Sequence, residues 1–313
     1  MKRAFVFPGQ GSQAVGMGKE LAETFPEARA LFQEVDDALD QSLSRLMFEG
    51  PEDQLTLTEN AQPALMAVSL AVVRTLQVQG GFSLSEKADF VAGHSLGEYS
   101  ALAAAGGLEV ADAARLLKKR GQAMQQAVPV GEGAMAALMG LELADASAVA
   151  EEAAQSQVCS AANDNAPGQV VVSGHKAAVE RAIDIAKERG AKRAVLLPVS
   201  APFHCALMAP AADVMAEALA SVSLRAPSVP LIANVTASPL SDPEAIRDRL
   251  VEQVTGVVRW RESVLFLRDQ GVGAFVELGS GKVLSGLVRR IDRDLQIANA
   301  GTTAELEALL ASL

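Results

Sequence analysis

Two short apolar runs, Ala4-Phe5-Val6-Phe7 and Phe90-Val91-Ala92, are separated by helical patterns, and each ends at a glycine-bearing turn. Runs this short are strands rather than helices, and with no polar residue in alternation they are buried on both faces. Strands of that kind spaced by helices make a mostly parallel sheet covered by helices, an α/β architecture. The helical stretch between them is clearest over Gln62 to Leu76. A helix is expected to begin near Gly97. The same rhythm returns after residue 200: Ala206 to Ala220 helical, Pro230 to Val235 a strand, helices over about 243–255 and 260–270, Ala274 to Leu278 a strand and Val283 to Ile291 a helix.

Residues 130–199 follow a different order. Ala134 to Met139 is a strand, Ala144 to Ala154 a helix, and Val158 to Ala162 and Val170 to Ser173 are two strands flanking a turn that holds Asn163, Asn165, Pro167 and Gly168. Lys176 to Glu188 is a helix and Ala194 to Val199 a strand. The order βαββαβ is the ferredoxin-like unit. It is expected as a small subdomain, 130–199, inserted in a larger one made of 1–129 and 200–313. A length of 313 residues agrees with roughly two such units.

With half its residues hydrophobic and only 4% aromatic, the chain builds its core mostly from Ala, Val and Leu. A net charge of −11 argues against a generic nucleic-acid or anionic-membrane surface, since both need a basic face. Local basic runs exist at Lys118-Lys119-Arg120, Arg189 to Arg193 and Arg289-Arg290, and taken alone they are solvated helix ends. Cys159 and Cys205 have neither metal-ligand nor disulfide-framework spacing. Met1-Lys2-Arg3 is followed by only four apolar residues before Pro8, too few for a secretory leader. The longest uncharged run, Ala194 to Ala212, carries three prolines and a histidine, so no membrane span is expected there. The expectation is a soluble, cytoplasmic, monomeric protein.

Gly93-His94-Ser95-Leu96-Gly97 joins the second strand to its helix. A G-x-S-x-G in that context is a sharp turn that lifts a serine hydroxyl clear of the sheet and aims helix N–H groups at what it attacks. A serine nucleophile needs a base, and the chain has three histidines. His94 adjoins Ser95 on a tight turn and diverges from it; His175 opens a helix and is expected as a solvated cap. His204 lies in the connection Ser200-Ala201-Pro202-Phe203-His204-Cys205 and is the candidate base. No acid between Ser95 and His204 stands at a strand end, so the orienting group is either an unrecognised carboxylate or a backbone carbonyl. Arg120 by itself belongs to an exposed basic run.

Together these residues resemble the malonyl-CoA:acyl-carrier-protein transacylases, the acyltransferase family of fatty-acid and polyketide synthesis. Phe7-Pro8-Gly9-Gln10-Gly11-Ser12-Gln13 is similar to that family's amino-terminal signature and Gly93 to Tyr99 to its nucleophile motif. Asn163 and Asn165 before Pro167-Gly168-Gln169, Phe203-His204-Cys205, and Glu277 to Lys282 resemble its later blocks. The resemblance runs from Phe5 to about Arg290 in order and spacing.

The resemblance implies a hydrolase-like large subdomain and a ferredoxin-like small one. It implies Ser95 as the acyl carrier, His204 as the base, and the backbone N–H groups of Gln10 and Leu96 as the oxyanion hole. It further implies Arg120 as the partner of the malonyl carboxylate, and Gln62, Met124, Asn163 and Phe203 as pocket residues, Phe203 in the malonyl-selective pattern. It implies a backbone carbonyl in the loop before Trp260, around Val257, Val258 and Arg259, as the group that orients the histidine. The implied partners are malonyl-CoA and acyl carrier protein, with no metal and no cofactor. A polyketide-pathway acyltransferase and a serine thioesterase or hydrolase would use the same Ser-His pair.

Overall fold

The computed structural model describes all residues from Met1 to Leu313. Its strands are β1 (Lys2–Phe7), β2 (Phe90–Gly93), β3 (Gly133–Met139), β4 (Cys159–Ala166), β5 (Gln169–His175), β6 (Arg193–Leu196), β7 (Leu231–Ile232), β8 (Pro239–Leu240), β9 (Val272–Leu278) and β10 (Gln296–Ala300). Six form one sheet in the order β10-β9-β1-β2-β7-β8, parallel except where β8 runs back along β7. The other four form a separate antiparallel sheet, β4-β5-β3-β6, covered by the helices Leu143–Ala154 and Lys176–Glu188. The α/β reading with a mostly parallel sheet therefore holds, and so does the change of rhythm near residue 130.

Each sheet has its own apolar core. Ala4, Phe5, Val6 and Phe7 of β1 are all buried, because a central parallel strand is covered on both faces. Under the antiparallel sheet, Val170 and Val172 meet Ala, Val and Ile side chains from its two helices. The sheets are joined through β4: Val258 donates its N–H to Ala162 (2.9 Å) and accepts from Asp164 (2.9 Å), while Arg261 Nε reaches Asp164 Oδ2 at 3.0 Å.

The helix Thr58–Gly80 extends four residues beyond each end of the expected Gln62 to Leu76. It is long and apolar enough to cross a membrane, yet 83% of its most apolar window is buried inside the fold, against the helices Pro26–Leu39 and Val110–Gln126. Other expectations shift for identifiable reasons. Asn163 and Asn165 lie within β4, and the turn is Pro167-Gly168 alone, with Gly168 at φ 65°. The strand expected to Val199 ends at Leu196, just before Pro198, which has no N–H to give. The strand expected over Pro230 to Val235 is only Leu231–Ile232, because Asn234 leaves the ladder to serve the site described below. Ala206–Met208 is a 3₁₀ turn, and the helix proper is Ala209–Ala220 with Pro210 in its first turn. β8, β10 and the last helix, Thr303–Ser312, had no counterpart in the sequence reading.

The β2 turn depends on its glycines. A methyl group on Gly93 would stand 1.9 Å from the Gly97 carbonyl, and one on Gly97 would stand 2.2 Å from the Phe7 carbonyl oxygen. Both are backbone contacts that cannot swing aside. Gly93→Ala is therefore expected to cost about 1–3 kcal/mol or more in urea unfolding, the range for forced overpacking. A midpoint unchanged from the parent chain would refute the close approach.

Candidate active site

Ser95 follows β2 with φ 54°, in the left-handed region that a residue with a Cβ enters only when its surroundings impose it. Its N–H is donated to Asn234 Oδ1 at 2.7 Å, and its carbonyl accepts from Gln253 Nε2 at 2.9 Å. Asn234 Nδ2 in turn donates to the Gly93 carbonyl at 2.6 Å, closing a loop around the turn. The hydroxyl faces a cleft of about 700 Å³ lined from the loops that follow β1 and β2 and from Met135 and Asn163 of the antiparallel sheet.

His204 also has a positive φ, 58°, and is 4% exposed. Its Nε2 lies 2.7 Å from Ser95 Oγ and its Nδ1 lies 2.9 Å from the Gln253 carbonyl oxygen. A carbonyl only accepts, so Nδ1 carries the ring proton and Nε2 presents a lone pair to the serine hydroxyl. The orienting group is thus a backbone carbonyl, but Gln253's rather than one at 257–259. Two of those carbonyls are otherwise engaged: Val258's accepts from the Asp164 N–H and Arg259's from Ser263. Burial, reinforced by the nearby Arg120 charge, pushes the His204 pKa down to about 3. Neither of the other two histidines bonds Ser95, although His94 also lines the cleft. His94 Nε2 is 2.8 Å from Asn165 Oδ1, with its ring beside Trp260. His175 accepts the Val158 N–H at 2.9 Å instead of capping its own helix.

Arg120 is not part of an exposed run: it is 1% exposed. On the helix Val110–Gln126 it shares a face with Ala113, Leu116, Leu117 and Met124, all buried. Its Nη1 donates to Gln62 Oε1 (2.7 Å), and its Nη2 donates to Gln253 Oε1 (2.7 Å) and Ser95 Oγ (3.2 Å). The guanidinium carbon sits 5.7 Å from the centroid of the Tyr99 ring. Every acceptor it touches is neutral, and burying a cation without an anion is costly. Such a site favours an incoming carboxylate next to Ser95 Oγ.

All nine residues singled out from the sequence line this one cleft: Gln10, Gln62, Ser95, Leu96, Arg120, Met124, Asn163, Phe203 and His204. The N–H groups of Gln10 and Leu96 have no acceptor within the chain. Gln62 is held by Thr58 Oγ1 (2.9 Å), which donates to Gln10 Oε1 (2.8 Å), and Gln62 Nε2 lies 3.8 Å from Met124 Sδ. Three site residues were missed: Gln253, Asn234 and Glu98. Glu98 is buried, accepts from Gln253 Nε2 (2.7 Å) and Asn234 N–H (3.1 Å), and has its pKa pushed up to about 7 by burial. Its place in the Ser95 motif was the only available hint. No group of three or more His, Cys, Asp or Glu side chains converges anywhere in the chain.

The acyl transferase domain family matches residues 4–304. The chain belongs to that family. A curated relative, malonyl CoA-acyl carrier protein transacylase of Bacillus subtilis strain 168, is 46% identical over all of this chain and 97% of its own length. Among solved structures, an acyl-carrier-protein-S-malonyltransferase from Bartonella henselae is 58% identical, with a TM-score of 0.97 over 100% of this chain and 99% of that one. Another, 46% identical with a TM-score of 0.96 and full coverage of both chains, is a malonyl-transacylase in complex with its type II PKS acyl-carrier protein. The acyl transferase family is thus reached from the chain's full length and not from the serine motif alone.

A base whose pKa lies near 3 is unprotonated throughout the neutral and mildly acidic range. Labelling of Ser95 by a small neutral fluorophosphonate is accordingly expected to show no acid limb near the ordinary histidine value of about 6.5. A rate that halves at that pH and falls tenfold per unit below it would mean that His204 titrates normally.

Proposed function

We propose that this acyl transferase moves the malonyl group from malonyl-CoA to the phosphopantetheine thiol of acyl carrier protein, by way of a malonyl ester on Ser95. One observation carries the reading: a buried guanidinium, matched only by neutral acceptors, points at the hydroxyl of a Ser-His pair. The names of the relatives agree with it. In the first half-reaction Ser95 Oγ attacks the thioester carbonyl while His204 Nε2 takes its proton. The developing oxyanion is received by the free N–H groups of Gln10 and Leu96, where one such donor is worth about 3 kcal/mol. Collapse breaks the C–S bond and His204 returns the proton to the CoA thiolate. In the second half-reaction the carrier's thiol gives its proton to His204, attacks the ester, and leaves with the malonyl group as Ser95 regains its proton. These steps are the protein's own acid-base chemistry and call for no cofactor or metal.

Arg120 sets acceptance by pairing with the malonyl carboxylate, with Gln62, Met124, Asn163 and Phe203 shaping the rest of the pocket. Its charge depresses the His204 pKa, so a bound carboxylate, by offsetting that charge, makes His204 a better base. Malonyl-CoA thereby improves the base that acts on it, and acetyl-CoA does not. Fatty-acid synthesis is the setting proposed. A polyketide carrier as acceptor is the same reaction with another partner, and the polyketide-system neighbour keeps that reading in view. For a strongly acidic chain to receive an acidic carrier, the proposed contact is the exposed Lys192-Arg193 and Arg289-Arg290.

The division proposed is a hydrolase-like catalytic subdomain of 1–129 and 200–313 and a ferredoxin-like one of 130–199. The strand order β4-β5-β3-β6 supports the latter. The protein is proposed to act as a cytoplasmic monomer. Arg120→Ala is expected to lower kcat/KM for malonyl-CoA by about 100-fold or more, while acetyl transfer is kept or raised. Malonyl and acetyl rates that fall together in that variant would remove Arg120 from acyl selection.

A further inference from the structure

Glu98 follows Ser95 by three residues and sits under the site, 1% exposed, with its carboxylate out of reach of the cleft that holds the substrate. A buried carboxyl is expected to have a partner of opposite charge or a dense set of donors. Glu98 forms no salt bridge to Arg120, the one cation near it. Instead a single oxygen, Oε2, accepts from two groups: Gln253 Nε2 at 2.7 Å and the Asn234 backbone N–H at 3.1 Å.

Those two residues are the ones that hold Ser95. The Asn234 side chain takes the Ser95 N–H, and the Gln253 side chain gives to the Ser95 carbonyl. Gln253 also supplies the carbonyl that orients His204 and the amide oxygen that receives Arg120. The donor Nε2 is shared between Glu98 and Ser95, so the Glu98 contact fixes which way the Gln253 amide faces. With that amide reversed, its oxygen would confront the Ser95 carbonyl and its NH₂ would confront the Arg120 guanidinium. Both contacts are repulsive.

We infer that Glu98 is a positioning residue for the transfer reaction: by accepting from Asn234 and Gln253 on one oxygen, it locks the amide orientation that keeps Ser95 in its strained turn and aligns Arg120 and His204 with it. Glu98 touches neither substrate nor reacting atoms. It acts through Gln253 and Asn234, from three residues downstream of the nucleophile. The inference takes the proposed role of Ser95 as its starting point.

The test uses the full chain and two readouts: the second-order rate of Ser95 labelling by a small neutral fluorophosphonate, and the kcat and KM of malonyl transfer. Glu98→Leu removes the acceptor. Its labelling rate and kcat are expected to fall by about tenfold or more, with KM moved less than about threefold, since a small misplacement of a reacting group acts on the chemical step. Glu98→Gln keeps an acceptor oxygen at the same reach and is expected to recover most of the loss. Glu98→Asp keeps the charge but withdraws the oxygen by one methylene, and is expected to be slower than Glu98→Gln. A folded Glu98→Leu that labels at the parent rate overturns the inference. Should the leucine variant not fold, the order of the other two decides: Gln faster than Asp supports the lock, and Asp equal to or faster than Gln overturns it. Fluorophosphonate labelling needs no acyl substrate. A parent chain that labels at Ser95 but takes no malonyl group would count against the proposed function while leaving Glu98 open to this test.

Discussion

Ser95 stays in a left-handed backbone conformation because both of its peptide groups are gripped from outside its own element. The N–H is held by a residue that has just left β7, and the carbonyl by the residue that ends the helix Pro243–Glu252. Strain of this kind costs on the order of 1–3 kcal/mol and persists only where the surroundings over-determine it. Two glycines, at 93 and 97, give the room, and two amide side chains remove the alternatives. The hydroxyl, the imidazole and the guanidinium meet because Gln253 bonds the imidazole, the guanidinium and the Ser95 carbonyl.

The electrostatics follow from burial. Dry surroundings keep His204 neutral and so able to accept a proton, and the same dryness leaves Arg120 seeking an anion. A carboxylate hydrogen-bonded to His204, as in a Ser-His-Asp triad, would stabilise imidazolium more strongly than the Gln253 carbonyl does. The carbonyl fixes the tautomer without adding negative charge. The charge in direct contact with the pair is then the Arg120 cation, whose effect an acid-bearing acyl group is suited to offset. Reactivity and selectivity rest on one balance of charge.

Much of this could be read along the chain. The buried runs at Ala4 to Phe7 and Phe90 to Ala92 marked strands of a parallel sheet, where they prove to be neighbours, and the βαββαβ order marked a second sheet. Ser95 was legible because its turn needs glycines at fixed places, and His204 because only three histidines competed. Arg120 was misread from residues alone because its neighbours Lys118 and Lys119 suggested a basic run. Its helical phase, shared with Leu116, Leu117 and Met124, would have placed it inside. The orienting carbonyl could not be assigned, since a backbone oxygen has no residue signature and Gln253 is brought to His204 by tertiary packing. Asn234 was hidden for the same reason, inside what looked like a continuing strand. β10, with the sequence Gln-Ile-Ala-Asn-Ala, has too little apolar character to announce an edge strand.

The measurement that bears most directly on the account is peptide mass spectrometry of the chain after exposure to malonyl-CoA without carrier protein. The account requires a malonyl ester on Ser95, absent from Ser95→Ala and discharged when carrier protein bearing a free phosphopantetheine thiol is added. Transfer to the carrier that proceeds with the ester on another residue, or with none formed, would contradict it.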